Sequence, residues 1–422
     1  MRCWLVTVGE PLPTDDRSVR LHRTGTLAGR LVDQGHTVVW WTSTFDHFRR
    51  RQRFDCDTRL KLDDRFSIHL LHAGGYRANV SLARLYDHAV VGVKFCIQAQ
   101  REPPPDVVLA SLPTLELSYG ACRFGRHAKV PVALDIRDLW PDVFLDAFPS
   151  RLKRVGRLLL APYVSLAQRA CRAATAILGS TEEYVNWGVT LAGRQKSPLD
   201  RDFPFGYCAT PPTPTEINAA EEFWRTWGIS EDRNQFIVCF FGTLGRQFDL
   251  DTVIEAAKTL AVRSPRIKLV ICGTGGRQEY YRVQAGSCSN VIFPGWVNRP
   301  EIWALMRMSA LGVAPYKATE NFLRNVPNKP IEYLSAGLPV LYCLGGALDG
   351  LLSGGGCGVR YAYGDAGDLA DQVSMIEQNP GLLCQLANKA TALYRARFQA
   401  ETVYSGMVEH LELIARSASR AG

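Results

Sequence analysis

The sequence predicts an α/β protein of two doubly wound domains, each a twisted parallel sheet with helices on both faces. Three observations carry this. The chain has 422 residues, too many for one ordinary core and well suited to two. Short apolar runs alternate with amphipathic stretches, the rhythm of parallel strands joined by crossover helices. That rhythm breaks once, in a proline-rich stretch, and then restarts.

In the first half the strand candidates are CWLVTV, TVVWWTS, FSIHLL, VVLAS, VALDI and TAILGS. Between the first two, Leu27, Leu31 and Val32 share a helix face and Gly35 supplies a stop, which makes one βαβ unit. The break is FPFGYCATPPTPTE, whose prolines sustain neither a helix nor a central strand. The expected organisation is a first domain over 1–205, a linker over 206–216 and a second domain over 217–399. The second carries QFIVCFFG, IKLVICG, NVIFPGW, LGVAPY and PVLYCL as strands. Over 400–422, Val403, Met407, Leu411 and Ile414 recur at helical spacing.

Composition narrows the class. Apolar residues at 46% and charged ones at 21% suit a globular protein. No run nears the roughly 18 apolar residues of a membrane span, and the first residues enter a strand rather than a signal peptide, so a cytoplasmic location is expected. The 12 cysteines form no CxxC pair and are expected as reduced, mostly buried thiols. The net charge of +8 suits phosphates or an anionic lipid surface. Nucleic acid is the poorer partner, since no basic stretch carries interleaved aromatics and no helix-turn-helix is visible.

The best-marked chemistry lies in PNKPIEYLSAGLPVL. A helix opening at Pro327 and Asn328, after the strand LGVAPY, would turn backbone N–H groups and its positive dipole end towards the carboxyl edge of the sheet, where a diphosphate is stabilised. One turn in, Lys329 offers a cation for phosphate and Glu332 a carboxylate for ribose hydroxyls. The plainer alternative is an exposed ion pair.

This run resembles the donor-site signature of glycosyltransferase family 4, enzymes of the GT-B fold, and the resemblance extends through most of the chain. It implies two Rossmann-like domains facing a cleft, a last helix that returns to the first domain, and Glu332 as the ribose contact. Many members carry a second glutamate eight residues earlier, where this chain has Arg324; Glu320 and Arg324 are both candidates for the vacant work. Gly242-Thr243-Leu244-Gly245-Arg246 resembles the loop that reaches the donor phosphates. Where many members have an arginine and a lysine, this chain has Thr243 and Phe248, and Arg246 is the candidate cation. ICGTGG, with Gly273, lacks the third glycine and distant acid of a dinucleotide fingerprint and resembles the family's second strand-to-helix turn. Gly295, Trp296 and Val297 are base-site candidates by the same likeness, with a packing role the alternative for Trp296.

In the first domain VALDIRDLWPD sets Asp135, Arg137 and Asp138 at a strand's carboxyl end. The motif resembles an element of a bacterial polysaccharide branch that includes amino-sugar transferases. Asp138 and Asp135 are therefore candidates for orienting sugar hydroxyls, against an internal Asp–Arg pair. Gly9, Glu10 and Asp16, after the first strand, and Asp46 and His47, after the second, are acceptor-side candidates, with a surface histidine the alternative for His47. RLKRVGRLLLAPYVSLAQRACR mixes Arg151, Lys153, Arg154 and Arg157 with leucines, which suits either an anionic membrane surface or packing on the sheet.

The resemblance implies transfer, with retention, from a nucleoside diphosphate sugar, expected to be UDP-linked, to a glycan or polyprenyl-diphosphate-linked acceptor in surface polysaccharide or lipopolysaccharide synthesis. Lys329, Arg246 and the helix start would meet the leaving charge without a metal. A GT-B epimerase or hydrolase and a non-catalytic nucleotide-binding module remain the alternatives.

Overall fold

The computed structural model describes residues 1–15, 20–78, 81–231 and 234–419. They form two compact units, Met1–Gly206 with the C-terminal segment from Ala400, and Tyr207–Gln399.

The first unit contains β1 (Arg2–Val6), β2 (Thr37–Ser43), β3 (Phe45–Asp46), β4 (Arg51–Gln52), β5 (Thr58–Lys61), β6 (Phe66–Leu71), β7 (Val107–Leu112), β8 (Val132–Ile136), β9 (Ala176–Gly179) and β10 (Arg201–Asp202). Eight of these make one sheet in the order β10-β9-β8-β7-β1-β2-β6-β5. All its pairings are parallel except β5 with β6. Period-two alternation sends neighbouring tryptophans of β2 to opposite faces. Trp41 joins Trp4, Phe95 and Phe124 on one face, while Trp40 joins Leu5, Leu27 and Leu31 on the other. The second face is completed by Val403, Met407, Leu411 and Ile414 of the helix Ala400–Ser419. Each such fully buried side chain contributes about 1.5–3 kcal/mol, which holds the last helix on this unit.

The second unit contains β11 (Phe236–Phe241), β12 (Ile267–Cys272), β13 (Val291–Gly295), β14 (Leu311–Ala314), β15 (Val340–Tyr342) and β16 (Gly358–Arg360). They form a wholly parallel sheet ordered β13-β12-β11-β14-β15-β16. The order reverses between β11 and β14, and open α/β sheets bind ligands at the carboxyl ends of strands at such a point.

One expectation needs correction. The prolines do not keep the chain irregular through Glu216: Thr213 caps a helix over Pro214–Thr226, its hydroxyl and the Glu216 carboxylate forming a reciprocal capping box. Pro214 is the first helical residue, where its missing N–H costs no bond. The cysteines are free and mostly buried, as expected, with Cys56, Cys208 and Cys384 exposed.

Candidate functional site

At the switch point of the second sheet, the helix Asn328–Ser335 starts from Pro327 with no side-chain cap. Pro327 and Pro330 lack N–H groups, so the amides of Asn328 and Lys329 are the donors this start retains. The Lys329 ammonium lies 4.7 Å from the centroid of the Phe248 ring and 5.8 Å from that of Phe240. Burial pushes its pKa below the ordinary lysine value, and Glu332, one turn on, offsets part of that shift. The exposed ion pair is therefore the wrong description of Lys329. A partly buried cation resting on two ring faces is poised for an incoming anion.

Gly242 makes room for it. A Cβ there would overlap the Lys329 Cε and stand 2.6 Å from Nζ, whereas one on Gly273 would overlap the Gly242 carbonyl oxygen. The loops after β11, β12 and β13 are also stitched together, Gly242 N donating to Cys272 O at 3.0 Å and Gly273 N to Gly295 O at 2.6 Å. The two glycines should therefore fail differently. Gly242→Ala displaces the Lys329 side chain and also strains a backbone at φ +153°, so it should weaken anion binding and lower the melting temperature, though by less than Gly273→Ala. Gly273→Ala strikes backbone and should unfold the unit, which thermal melts with and without UDP will distinguish.

Of the other donor-side candidates, Thr243 and Arg246 are exposed on the first of these loops. Arg324 pairs with Glu320 at 3.1 Å across one helical turn, so the two residues nominated for the absent glutamate engage each other. An exposed pair of this kind is worth about 0–1 kcal/mol and separates readily when a ligand arrives. Gly295 has φ +85°, Val297 is buried, and Trp296 is 70% exposed. Packing therefore does not explain Trp296.

In the first unit, Asp135, Arg137 and Glu10 meet in a buried network with Arg23, a residue the sequence reading missed. Arg23 donates from Nε and Nη2 to the two Asp135 oxygens at 2.9 and 3.0 Å, and from Nη1 to the carbonyls of Phe203 and Pro204. Arg137 donates from Nε to Asp135 at 2.8 Å, from Nη1 to Glu10 and from Nη2 to Thr24 Oγ1. Burial alone would raise the Asp135 pKa, but the two guanidiniums outweigh it and hold the carboxyl below its usual value. Asp135 has no exposed surface, so the internal-pair alternative describes it and an open sugar contact does not. Asp138, three residues on, is partly exposed. Asp16 lies outside the described residues.

Asp46 is likewise buried and occupied, accepting from the amides of Phe48 and Arg49. His47 is not a surface histidine: its Nδ1 is 2.7 Å from the Tyr76 hydroxyl. Burial, helped by Arg84 and Arg50, pushes its pKa down to about 4. His47 and Gly9 line a small pocket with Tyr76, His88 and Thr114. Arg84 and His88, four apart on the helix Leu82–Ala99, were legible as one helix face, but nothing in the sequence tied that face to His47.

Two doubly wound units, the second with a lysine packed on aromatic rings at its switch point, give the chain the GT-B fold. Within it, residues 226–393 match the family described as Glycosyl transferases group 1, a span inside the second unit. HepE from Anabaena, solved with UDP-glucose, is 18% identical with a TM-score of 0.65 over 98% of this chain and 99% of that one. Sucrose-phosphate synthase from Thermosynechococcus elongatus is 15% identical with a TM-score of 0.72 over 100% of both chains. WaaG, a glycosyltransferase involved in lipopolysaccharide biosynthesis, is 16% identical with a TM-score of 0.63 over 97% of this chain and 99% of that one. No curated protein matches the sequence.

Proposed function

We propose that this enzyme transfers a glycosyl group from a UDP-linked sugar to a glycan or a polyprenyl-diphosphate-linked acceptor in bacterial surface polysaccharide synthesis. The observation that carries the reading is the Lys329 ammonium, held over Phe248 and Phe240 in the space left by Gly242, beside an uncapped helix start. The diphosphate binds there and the ribose hydroxyls bind Glu332. As the bond from the anomeric carbon to the diphosphate oxygen breaks, negative charge grows on that oxygen and Lys329, Arg246 and the two helix amides stabilise it. The acceptor hydroxyl oxygen forms the new bond to the anomeric carbon and its proton passes to the departing diphosphate oxygen, with retention as the family likeness implies. These groups supply the positive charge that the leaving diphosphate requires, so the scheme calls for no metal.

Phe248 gains a role in this scheme. Where the family often carries a second cation, the ring supports the one that is present. The base lies against Gly295, Val297 and the exposed Trp296, and Asp138 orients a sugar hydroxyl. The experiment is a thermal-shift screen of nucleotide sugars: a UDP sugar should stabilise the protein most, and Glu332→Ala should weaken that shift while Asp46→Ala leaves it intact. Equal shifts in both variants would overturn the donor site. Product analysis separates transfer from hydrolysis or epimerisation.

The acceptor's carrier is proposed to lie at the inner face of the membrane. No helix among the described residues is long and apolar enough to cross a bilayer. The helix Lys153–Ala173 exposes Leu158 (76%) and Leu159 (63%) beside Arg154 and Arg157, a mixture that suits an anionic surface. The protein should float with phosphatidylglycerol vesicles and not with phosphatidylcholine vesicles, and Leu158→Glu with Leu159→Glu should abolish flotation.

A further inference from the structure

GEPLP, the segment after β1, carries Glu10 to the carboxyl edge of the first sheet. The strand order of that sheet reverses between β1 and β7, so this segment and the helix Arg23–Asp33 that follows it stand at the first unit's own switch point. Open α/β sheets take ligands at such a point. The helix starts from His22 with no side-chain cap and carries no acid in its first turn. A start of this kind, with unpaired amides and a positive dipole end, favours an anion.

Glu10 is that anion. The residue is 7% exposed, and both of its carboxylate oxygens are engaged. One accepts from the Thr24 amide at 2.9 Å; the other accepts from the Thr24 hydroxyl at 2.7 Å and from Arg137 Nη1. The carboxylate thus bridges the helix start and a buried guanidinium, as the phosphoryl or carboxylate group of a ligand would. The same matching recurs along this edge. Arg53, beyond the carboxyl end of β2, donates from Nε and Nη2 to the two oxygens of Asp15 at 2.7 Å each, and Arg23 is held by Asp135. Arg23, Arg53 and Arg137 are therefore each met by a carboxylate of the chain itself.

We propose that Glu10 determines acceptor selectivity by filling, from within the chain, the anion place at the first unit's switch point. This end of the sheet then receives an uncharged part of the acceptor, a sugar hydroxyl rather than a phosphoryl or carboxylate group. The inference rests on the glycosyltransferase reading and deepens its acceptor side; the diphosphate of a lipid carrier lies away from this point. An arriving anion finds the Thr24 amide and Arg137 already bonded and is repelled by the Glu10 charge, a penalty that a hydroxyl does not meet.

The test uses the full chain with saturating UDP, so that added phosphate reports on the first unit. Inorganic phosphate, titrated by calorimetry, should bind Glu10→Ala at least about tenfold more tightly than the parent, the worth of the charge-assisted bonds that the variant sets free. Acetate, which restores the missing carboxylate, should raise the melting temperature of Glu10→Ala and leave that of the parent unchanged at matched ionic strength. Glu10→Asp keeps the charge and should gain no phosphate affinity. A merely structural Glu10 would instead leave both variants destabilised and unresponsive to either anion. Glu10→Gln is the neutral variant to use should Glu10→Ala fail to fold, and it too should gain phosphate affinity. The proposal is overturned if the parent binds phosphate as tightly as the neutral variant, if neither neutral variant responds to an anion, or if Glu10→Asp gains as much as Glu10→Ala. If UDP fails to bind the parent, the donor-site reading fails, while the comparison of parent and variant still reads Glu10.

Discussion

Asp135→Ala should destabilise the first unit by about 3–5 kcal/mol, because it removes one anion from a buried set of two cations and two anions. Arg23 and Arg137 would keep their charge, since guanidinium groups do not deprotonate in proteins, and three of their N–H donors would lose an acceptor away from water. At roughly 2–4 °C per kcal/mol for a unit of this size, the loss is about 6–20 °C in melting temperature. Asp138→Asn keeps the shape of a partly exposed side chain outside the Asp135 network, so it should lower the melt by far less than Asp135→Ala. It should lower turnover at least tenfold if Asp138 orients a sugar. A melt for Asp135→Ala within 2 °C of the parent would show that the network contributes no net stability.

Lys329→Met should act in the opposite sense. Removing a desolvated ammonium relieves a burial cost, so the variant is expected to be as stable as the parent or slightly more so. Its affinity for a UDP sugar should nonetheless fall about 10–100-fold, the worth of one charge-assisted contact, and turnover should fall further because the charge on the diphosphate grows as the bond breaks. The pH response follows from the same group. Its folded pKa lies below the unfolded value near 10.5, so between the two the unfolded chain binds more protons and stability rises with pH. Donor affinity falls across that window as the charge is lost. Calorimetry of UDP binding from neutral to alkaline pH checks this, and an affinity unchanged in Lys329→Met would remove the lysine from the site.

Residue pattern alone determined a good deal. The strands of both sheets, the helix start at Pro327 and the pairing of Lys329 with Glu332 on one face are local matters, set by apolar periodicity, proline chemistry and a three-residue spacing. The edge strands β5, β10 and β16 escaped notice because all three are short, and only two of the three residues of β16 are partly buried. The role of Asp135 also escaped. A strand-end aspartate reads the same whether it faces a sugar or an arginine, and its partner Arg23 is 112 residues away in the chain.

Tertiary structure alone decided what the marked residues can do. Lys329 became a desolvated cation because β11 delivers Phe240, and the loop after it Phe248, beneath its ammonium, a contact across some eighty residues of sequence. His47, Tyr76, His88 and Thr114 line one pocket from four places in the first half, so no spacing rule joins them. Periodicity reports which face of an element is buried, and only long-range packing reports what that face meets; the charge and hydration of a site belong to the second.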